Sequence, residues 1–224
     1  MTAAANLSDT PRRPGRPRDP DRADRRRAEI LDVAAALFAE HGFANVQVQA
    51  VADKLGVGNG TVYRYFPTKE ALFLAAVERG LTELDQEMTA IVADPAADPL
   101  AQVRAAVTAY LRFFHRRPEM AELFVQERAA FPKHHRPLYF TIKDDDKDCQ
   151  HKALFDRLTA AGLLRPMPME RFFDVVGDLL YGTILTNLLA GRAVDPDRQA
   201  ADVLDVICHG ILTDAGRRAA GGER

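Results

Sequence analysis

Tryptophan is absent from this chain of 224 residues, and cysteine nearly so, with only Cys149 and Cys208. Two cysteines are too few for a disulfide framework and fit a reducing compartment, where they read as packing residues. An excess of either charge is also lacking: 30 basic side chains meet 32 acidic ones, a formal net charge of −2. Taken as a total, that argues against a generic polyanion binder. No hydrophobic run reaches the ~20 residues of a membrane span. The nearest, Val175 to Gly191, is interrupted by Asp178 and Asn187. The N-terminus has no apolar stretch of the kind a secretory signal needs. Strand signals are missing as well, because nowhere do apolar and polar residues alternate between hairpin turns. With 47% hydrophobic residues the chain has ample material for a core. The expectation is an all-α cytoplasmic protein with no membrane partner.

The charge is unevenly placed. Residues 1–27 carry a net +4 and residues 71–224 a net −4. A basic arm on an acidic body is a common arrangement for nucleic-acid binding. Residues 1–20, rich in Pro and Arg and without an apolar period, read as a disordered basic arm. From there the punctuation is helical. Asp19-Pro20 opens a helix with an Ile30, Val33, Ala34, Leu37, Phe38 stripe, stopped by Gly42. Asp98-Pro99 opens another, carrying Val103, Val107, Tyr110, Leu111 and Phe114. Further helices are expected over Glu119–Phe131, Leu138–Ala161 (stopped by Gly162) and Pro168–Gly191. The last is capped by Asp195-Pro196 and holds Val203, Leu204, Ile207 and Ile211.

Between the first helix and the body lies a compact pair. Val48 to Leu55 is a short amphipathic helix, Gly56-Val57-Gly58 turns the chain, and Asn59 to Phe66 forms a second short helix. Two short helices about a glycine-containing turn, here about residues 47–66, are the helix-turn-helix, whose second helix enters the DNA major groove. That second helix crowds Thr61, Tyr63, Arg64 and Tyr65 into one turn and a half, chemistry suited to phosphates and base edges. Val62 and Phe66 read as its core side, and Tyr63 and Tyr65 cannot both face inward with them.

These residues carry a resemblance. Ile30-Leu31, Ala34, Leu37-Phe38, Gly42-Phe43, Val51-Ala52, Leu55-Gly56-Val57, Gly60-Thr61-Val62-Tyr63, Tyr65-Phe66, Lys69 and Leu72 together resemble the tetracycline-repressor (TetR) type transcriptional regulators over about residues 26–75. The resemblance implies an N-terminal three-helix DNA-binding domain, here 21–86. It implies a C-terminal helical ligand-binding and dimerisation domain, here 87–215, before a flexible tail, 216–224. By position, Thr61, Tyr63, Tyr65 and Lys69 look like phosphate contacts, and Gln49, Asn59, Gly60 and Arg64 can face bases. Two positions depart from the family, which often has Ser or Thr capping the second and third helices. Gln47 and Gly58 stand there, so the cap of the second helix is sought at Asn45. The arm segment Arg13 to Arg18 also resembles an AT-hook core, with Arg16 and Arg18 placed to enter an A·T minor groove.

In the Glu119–Phe131 helix, Met120, Phe124 and Phe131 share a face with Leu123 at its edge. Glu127 falls in the middle of that face, while Glu119, Glu122 and Gln126 lie opposite. A carboxylate in an apolar stripe must pair, accept hydrogen bonds or protonate. The alternatives are an internal salt bridge to Arg128, Arg116 or His115, and a polar fixture in a ligand pocket. Candidate ligand-contacting residues are Tyr110, Phe114, Phe124, Glu127, Arg128, Phe131, Tyr181 and Asn187. The Pro168–Gly191 helix is apolar nearly all round and so needs cover on every side. With the last helix it is expected to form a four-helix dimer interface through Phe173, Leu180, Ile184, Leu188, Leu204, Ile207 and Ile211. His134-His135 and the run Asp144, Asp145, Asp146, Asp148, Cys149, His151 match no zinc or calcium loop, so no metal or other cofactor is expected.

The functional expectation is a homodimeric regulator, a repressor released from a pseudo-palindromic double-stranded DNA operator by a small, largely apolar effector. The helix from Lys69 to Val92 joins the two domains and is the expected transmission element. Two alternatives stand beside it. One is a helix-turn-helix regulator with no small-molecule inducer. The other is a metal-dependent enzyme using His134, His135 and the Asp-rich region, although no phosphate loop, nucleophile elbow or HExxH pattern supports an enzyme.

Overall fold

The computed structural model describes residues 20–132, 137–140 and 145–209. Arg16 and Arg18 of the arm, the His134-His135 pair, Asp144, Ile211 and the 216–224 tail lie outside the described residues, as do the side chains of residues 145–149. Among the described residues the regular elements are all helical, without strands. They form α1 (Pro20–His41), α2 (Val48–Lys54), α3 (Asn59–Tyr65), α4 (Lys69–Val92), α5 (Pro99–Arg116), α6 (Pro118–Ala130), α7 (Asp145–Ala160), α8 (Met169–Leu189) and α9 (Pro196–His209).

Local chemistry sets several of the helix ends. Asp98 caps α5 by accepting from the Leu100 and Ala101 amides at 3.3 and 3.1 Å, and Asp195 caps α9 in the same way. Thr68 caps α4 through the Ala71 amide at 3.0 Å. Such caps satisfy amides that the first helical turn leaves without a partner. At the C-terminal ends of α1, α7 and α8, Gly42, Gly162 and Gly191 take positive φ, the left-handed stop that other residues adopt at a cost. The second helix has no such help. Gln47 and Gly58 precede α2 and α3 without a side-chain cap bond. Asn45 does not supply one either: its Nδ2 donates backward to the His41 carbonyl at 2.9 Å, closing α1 rather than opening α2.

The expected Leu138–Ala161 helix is not α-helical at its start: Leu138–Phe140 is a 3-10 turn, and α7 spans Asp145–Ala160. Tyr139 in that turn is drawn into the core, its hydroxyl 2.8 Å from that of Tyr110, and the Leu138 amide donates to Glu127 Oε1 at 2.9 Å. Contacts to residues far away in sequence thus override the local helical pattern. Cys208, expected in packing, is exposed, because α9 turns Ala200, Val203 and Leu204 inward instead.

A single hydrophobic cluster runs from Val51 and Val62 beneath the helix-turn-helix, through α1, α4, α5 and α6, to Leu180, Ile184 and Leu204. A smaller one, Val92 with Leu154 and Leu158, holds α7 against the far end of α4. There the buried Gln102 donates to the Ile91 and Asp94 carbonyls, and Arg157 donates to Gln102 Oε1 at 2.9 Å. Helix α4 passes through both halves without interruption. Its Gly80 lets α6 approach closely, since a Cβ there would stand 2.3 Å from Met120 Sδ and Cε. Met120 is itself fully buried. Gly80→Ala gains ~1 kcal/mol of helix propensity but overpacks this contact by ~1–3 kcal/mol. A lower denaturant midpoint is therefore expected, and a raised midpoint would place α6 elsewhere.

Candidate nucleic-acid interface and ligand cavity

The helix-turn-helix is built from inside outward. Val48, Val51 and Ala52 of α2 are buried, and Gly56 reverses the chain at φ +65°. Val62 and Phe66 then lock α3 against that surface. The opposite side of α3 is open: Tyr63 is 43% exposed, Arg64 and Gly60 are exposed, and Asn59 and Thr61 are half-buried. Tyr65 is half-buried against the core, so the two tyrosines face different ways. The Arg64 guanidinium lies over the Tyr65 ring at 5.4 Å. Gln49 is exposed on α2, where its Nε2 donates to Asp53 Oδ1 at 2.6 Å. Lys69 serves the fold as well. Its Nζ donates to the Ala44 carbonyl at 3.0 Å and stands 4.7 Å from the Phe43 ring, so it pins the loop between α1 and α2.

That loop is also held from the body. Gln126 on α6 accepts from the Phe43 amide at 2.9 Å through Oε1 and donates to the Phe38 carbonyl at 2.8 Å through Nε2. Beside it, Phe131 packs on Phe43 and Phe73, ring centroids 5.0 and 5.7 Å apart. An ion-pair network runs parallel to this clamp. Arg79 of α4 meets Asp32 of α1 at 3.1 Å and Glu83 at 3.0 Å, and Arg117 joins Glu83 to Glu119. Sequence periodicity placed Gln126 opposite the apolar stripe of its helix, where a residue ordinarily faces water. Its signal was the polar face of a helix that turns out to be packed on both sides.

Four of the eight candidate ligand residues meet in one aromatic cluster. Tyr110, Phe124 and Tyr181 surround Tyr139, a residue that sequence reasoning missed, and Glu127 lies beneath it, 1% exposed. Burial pushes the Tyr110 hydroxyl well above its ordinary range, aided by Tyr139. Burial also raises Tyr139, although its bond to Tyr110 works the other way. Tyr181 is raised by burial and then by the charge of Glu127. All three therefore stay protonated at neutral pH. Of the three salt-bridge partners considered for Glu127, Arg116 pairs with Glu87 at 2.7 Å and Arg128 donates to the Pro132 carbonyl, while His115 is exposed at the end of α5. Arg128 and Phe131 thus stand apart from the cluster.

Phe114 joins this cluster to a cavity of about 250 Å³ between α5, α6, α8 and the loop into α9. Phe114 and Asn187 line it, together with Leu111, Ala121, Ile184 and Leu188. Asn187 and Gln199 exchange two amide hydrogen bonds, 2.8 and 3.2 Å, across its wall.

The candidate dimer residues face mostly inward within the single chain. Leu180, Ile184 and Leu204 are buried in the chain's own core, Leu188 faces the cavity, and Phe173 packs on Phe155 and Phe172. Ile207 is half-buried against the core. The apolar surface left open lies on the reverse of these helices: Val175 (60% exposed) and Leu189 (77%) on α8 and Val206 on α9. Val175, Gly182 and Leu189 recur every seven residues and form one stripe. Helix α8 is long and apolar enough to cross a membrane, yet its Leu180 and Ile184 belong to the core.

Gln126→Ala leaves the Phe43 amide without its acceptor. A loss of about 1–3 kcal/mol in chemical denaturation is expected. A loss near zero would mean that water replaces the clamp at no cost.

Comparison with known proteins agrees with this architecture. Residues 30–76 match the profile described as bacterial regulatory proteins, tetR family. The HTH-type transcriptional repressor KstR of Rhodococcus jostii is 34% identical over 196 residues, covering 86% of this chain and 85% of the relative. Two solved structures share the fold. One is the transcriptional regulator FadR from Bacillus subtilis in complex with stearoyl-CoA (TM-score 0.64, 16% identity, covering 83% of this chain and 99% of that one). The other is a putative transcriptional regulator from Saccharomonospora viridis in complex with choline (TM-score 0.64, 20% identity, covering 85% and 99%). At such identities the structures speak for the fold alone. The KstR match extends over both the helix-turn-helix and the helical body, and the chain belongs to the tetR family of bacterial regulatory proteins.

Proposed function

We propose that this chain is a homodimeric transcriptional repressor that leaves its operator when a small molecule fills the cavity of the body. One observation carries the reading: the residues beneath α3 and those around the cavity belong to the same core. Val51 and Val62 share one hydrophobic cluster with Leu111, Phe114, Ala121 and Ile184, the last four of which line the cavity. Close-packed interiors do not deform continuously, so a group added at the cavity shifts helices as units. Helix α6 borders the cavity at Ala121 and holds the α1–α2 loop through Gln126. It therefore joins α4 as a transmission element. The effector acts only through a difference in affinity between DNA-competent and incompetent arrangements.

On the DNA side, the open face of α3 supplies Arg64 and Gly60, with Asn59 and Thr61 beside them and Gln49 across the turn. Tyr63 and Tyr65 are read as phosphate contacts. Lys69 adds charge while holding its loop. Arg16 and Arg18 are assigned to the adjacent minor groove. Two copies of α3 would meet successive major grooves of a pseudo-palindrome, about 34 Å apart. The dimer is assigned to the Val175, Gly182, Leu189 stripe with Val206, the open faces of α8 and α9. Relatives of this fold are bound to stearoyl-CoA in one case and choline in another, so the fold by itself does not choose an effector.

The direct test is selection of bound DNA from a random pool, followed by titration of the enriched site. Arg64→Ala should relax preference at one base position by about 1–3 kcal/mol. Equal losses on enriched and random DNA would assign Arg64 to phosphate. Leu189→Asp puts a charge into the open stripe and should yield a folded monomer by sedimentation, with enriched-site binding lost. A dimer that persists would move the interface to another surface.

A further inference from the structure

The charge around the cavity is one-sided. Two ionisable side chains line it, His115 at the end of α5 and Arg192 in the loop after α8, and both are of the kind that carries positive charge. No carboxylate lines it. Asp197 lies close enough to His115 to be influenced by it, and its carboxyl is held below the usual range chiefly by the hydrogen bonds of Arg112. Those bonds, 2.6 and 2.9 Å, make a bidentate pair, so the charge of Asp197 is already matched.

Arg112, Arg116, Arg117 and Arg157 each bond a carboxylate, amide or carbonyl. Arg192 is the arginine that lines the cavity. Among the described residues nothing accepts from the Arg192 guanidinium, while its backbone is fixed: its amide donates to the Asn187 carbonyl at 2.9 Å, around the positive-φ Gly191. Close behind it stand the amide pair Asn187 and Gln199 and the apolar wall of Phe114, Ile184 and Leu188. An apolar wall, a pair of neutral amides and two basic side chains line one cavity.

We propose that this cavity takes an amphipathic anion, with its apolar tail against Phe114, Ile184 and Leu188 and a carboxylate or phosphate head between His115 and Arg192. Asn187 and Gln199 are placed to meet the polar group that joins head to tail. The same two basic side chains repel a cationic head of equal size. Charge-assisted hydrogen bonds from a guanidinium, made bidentately to a planar anion, supply the discrimination. This rests on the body being the effector-binding half, as proposed above.

The test uses the full chain and four probes sharing one tail, each below its micellar concentration: decanoate, decyl phosphate, decanol and decyltrimethylammonium. Binding is read from the shift of thermal midpoint with probe concentration, and release of the enriched DNA is read separately by anisotropy. One or both anions should bind about tenfold or more tightly than decanol, with the cation weakest. Comparison of the two anions identifies the head group. Arg192→Gln should remove the preference over decanol without altering decanol binding, and Arg192→Lys should keep part of it. Leu188→Trp, which fills the cavity, should abolish binding of all four. Equal affinities for the four probes would overturn the proposal. So would an anion preference that survives in Arg192→Gln, or an absence of binding by any probe. Anion binding that leaves DNA occupancy unchanged would keep this site and overturn the regulatory coupling. DNA release by an unrelated compound, with the anions ignored, would do the reverse.

Discussion

Helix α6 is gripped from several directions at once, with only Pro118, Val125, Arg128 and Ala129 left on its open side, and the arrangement of the whole chain depends on that constraint. Met120 fills the space that Gly80 leaves on α4. Phe124 and Glu127 close over the tyrosine cluster. Ala121 borders the cavity, and Gln126 and Phe131 grip the loop between α1 and α2. Such a helix cannot tilt or slide without moving something on each side. The proposed switching therefore needs no separate hinge, because close-packed interiors favour discrete arrangements over a continuum.

The helix-turn-helix and the cavity consequently share one cohesive core rather than meeting across a wet seam. Polar contacts reinforce the join. The Arg79 and Arg117 network ties α1, α4 and α6 by charge, and Lys69 ties the α1–α2 loop to the start of α4. Exposed ion pairs contribute little alone. Several converging on Asp32 and Glu83 fix the angle of α1 more than they add stability. The direction of coupling then follows from chemistry at the two ends. In the proposed reading a polyanion would face α3, while the cavity lined by His115 and Arg192 borders α6 at Pro118 and Ala121.

What could be read in the sequence was what neighbours in the chain decide. The caps at Asp98 and Asp195, the glycine stops and the split of Tyr63 from Tyr65 all follow from local rules. The 3-10 turn at Leu138 could not be read, because its conformation is set by Glu127 and Tyr110, residues distant in the chain. The same holds for Leu180, Ile184 and Leu204. Their apolar character announced burial, but only the fold shows that their own chain buries them and leaves Val175, Leu189 and Val206 outside. Tyr139 and Gln126 were passed over for the same reason. A half-polar side chain on a short turn or on a helix's polar face reads as a surface residue until its partner is in place.

The central claim is that the DNA face and the cavity respond together through α6. Hydrogen exchange of the full chain, with and without the enriched DNA, tests it most directly. The account predicts slower exchange in α2 and α3 and, in addition, altered exchange at the Phe43 amide and along residues 111–127, which touch no DNA. Changes confined to α2, α3 and their flanking loops would contradict it.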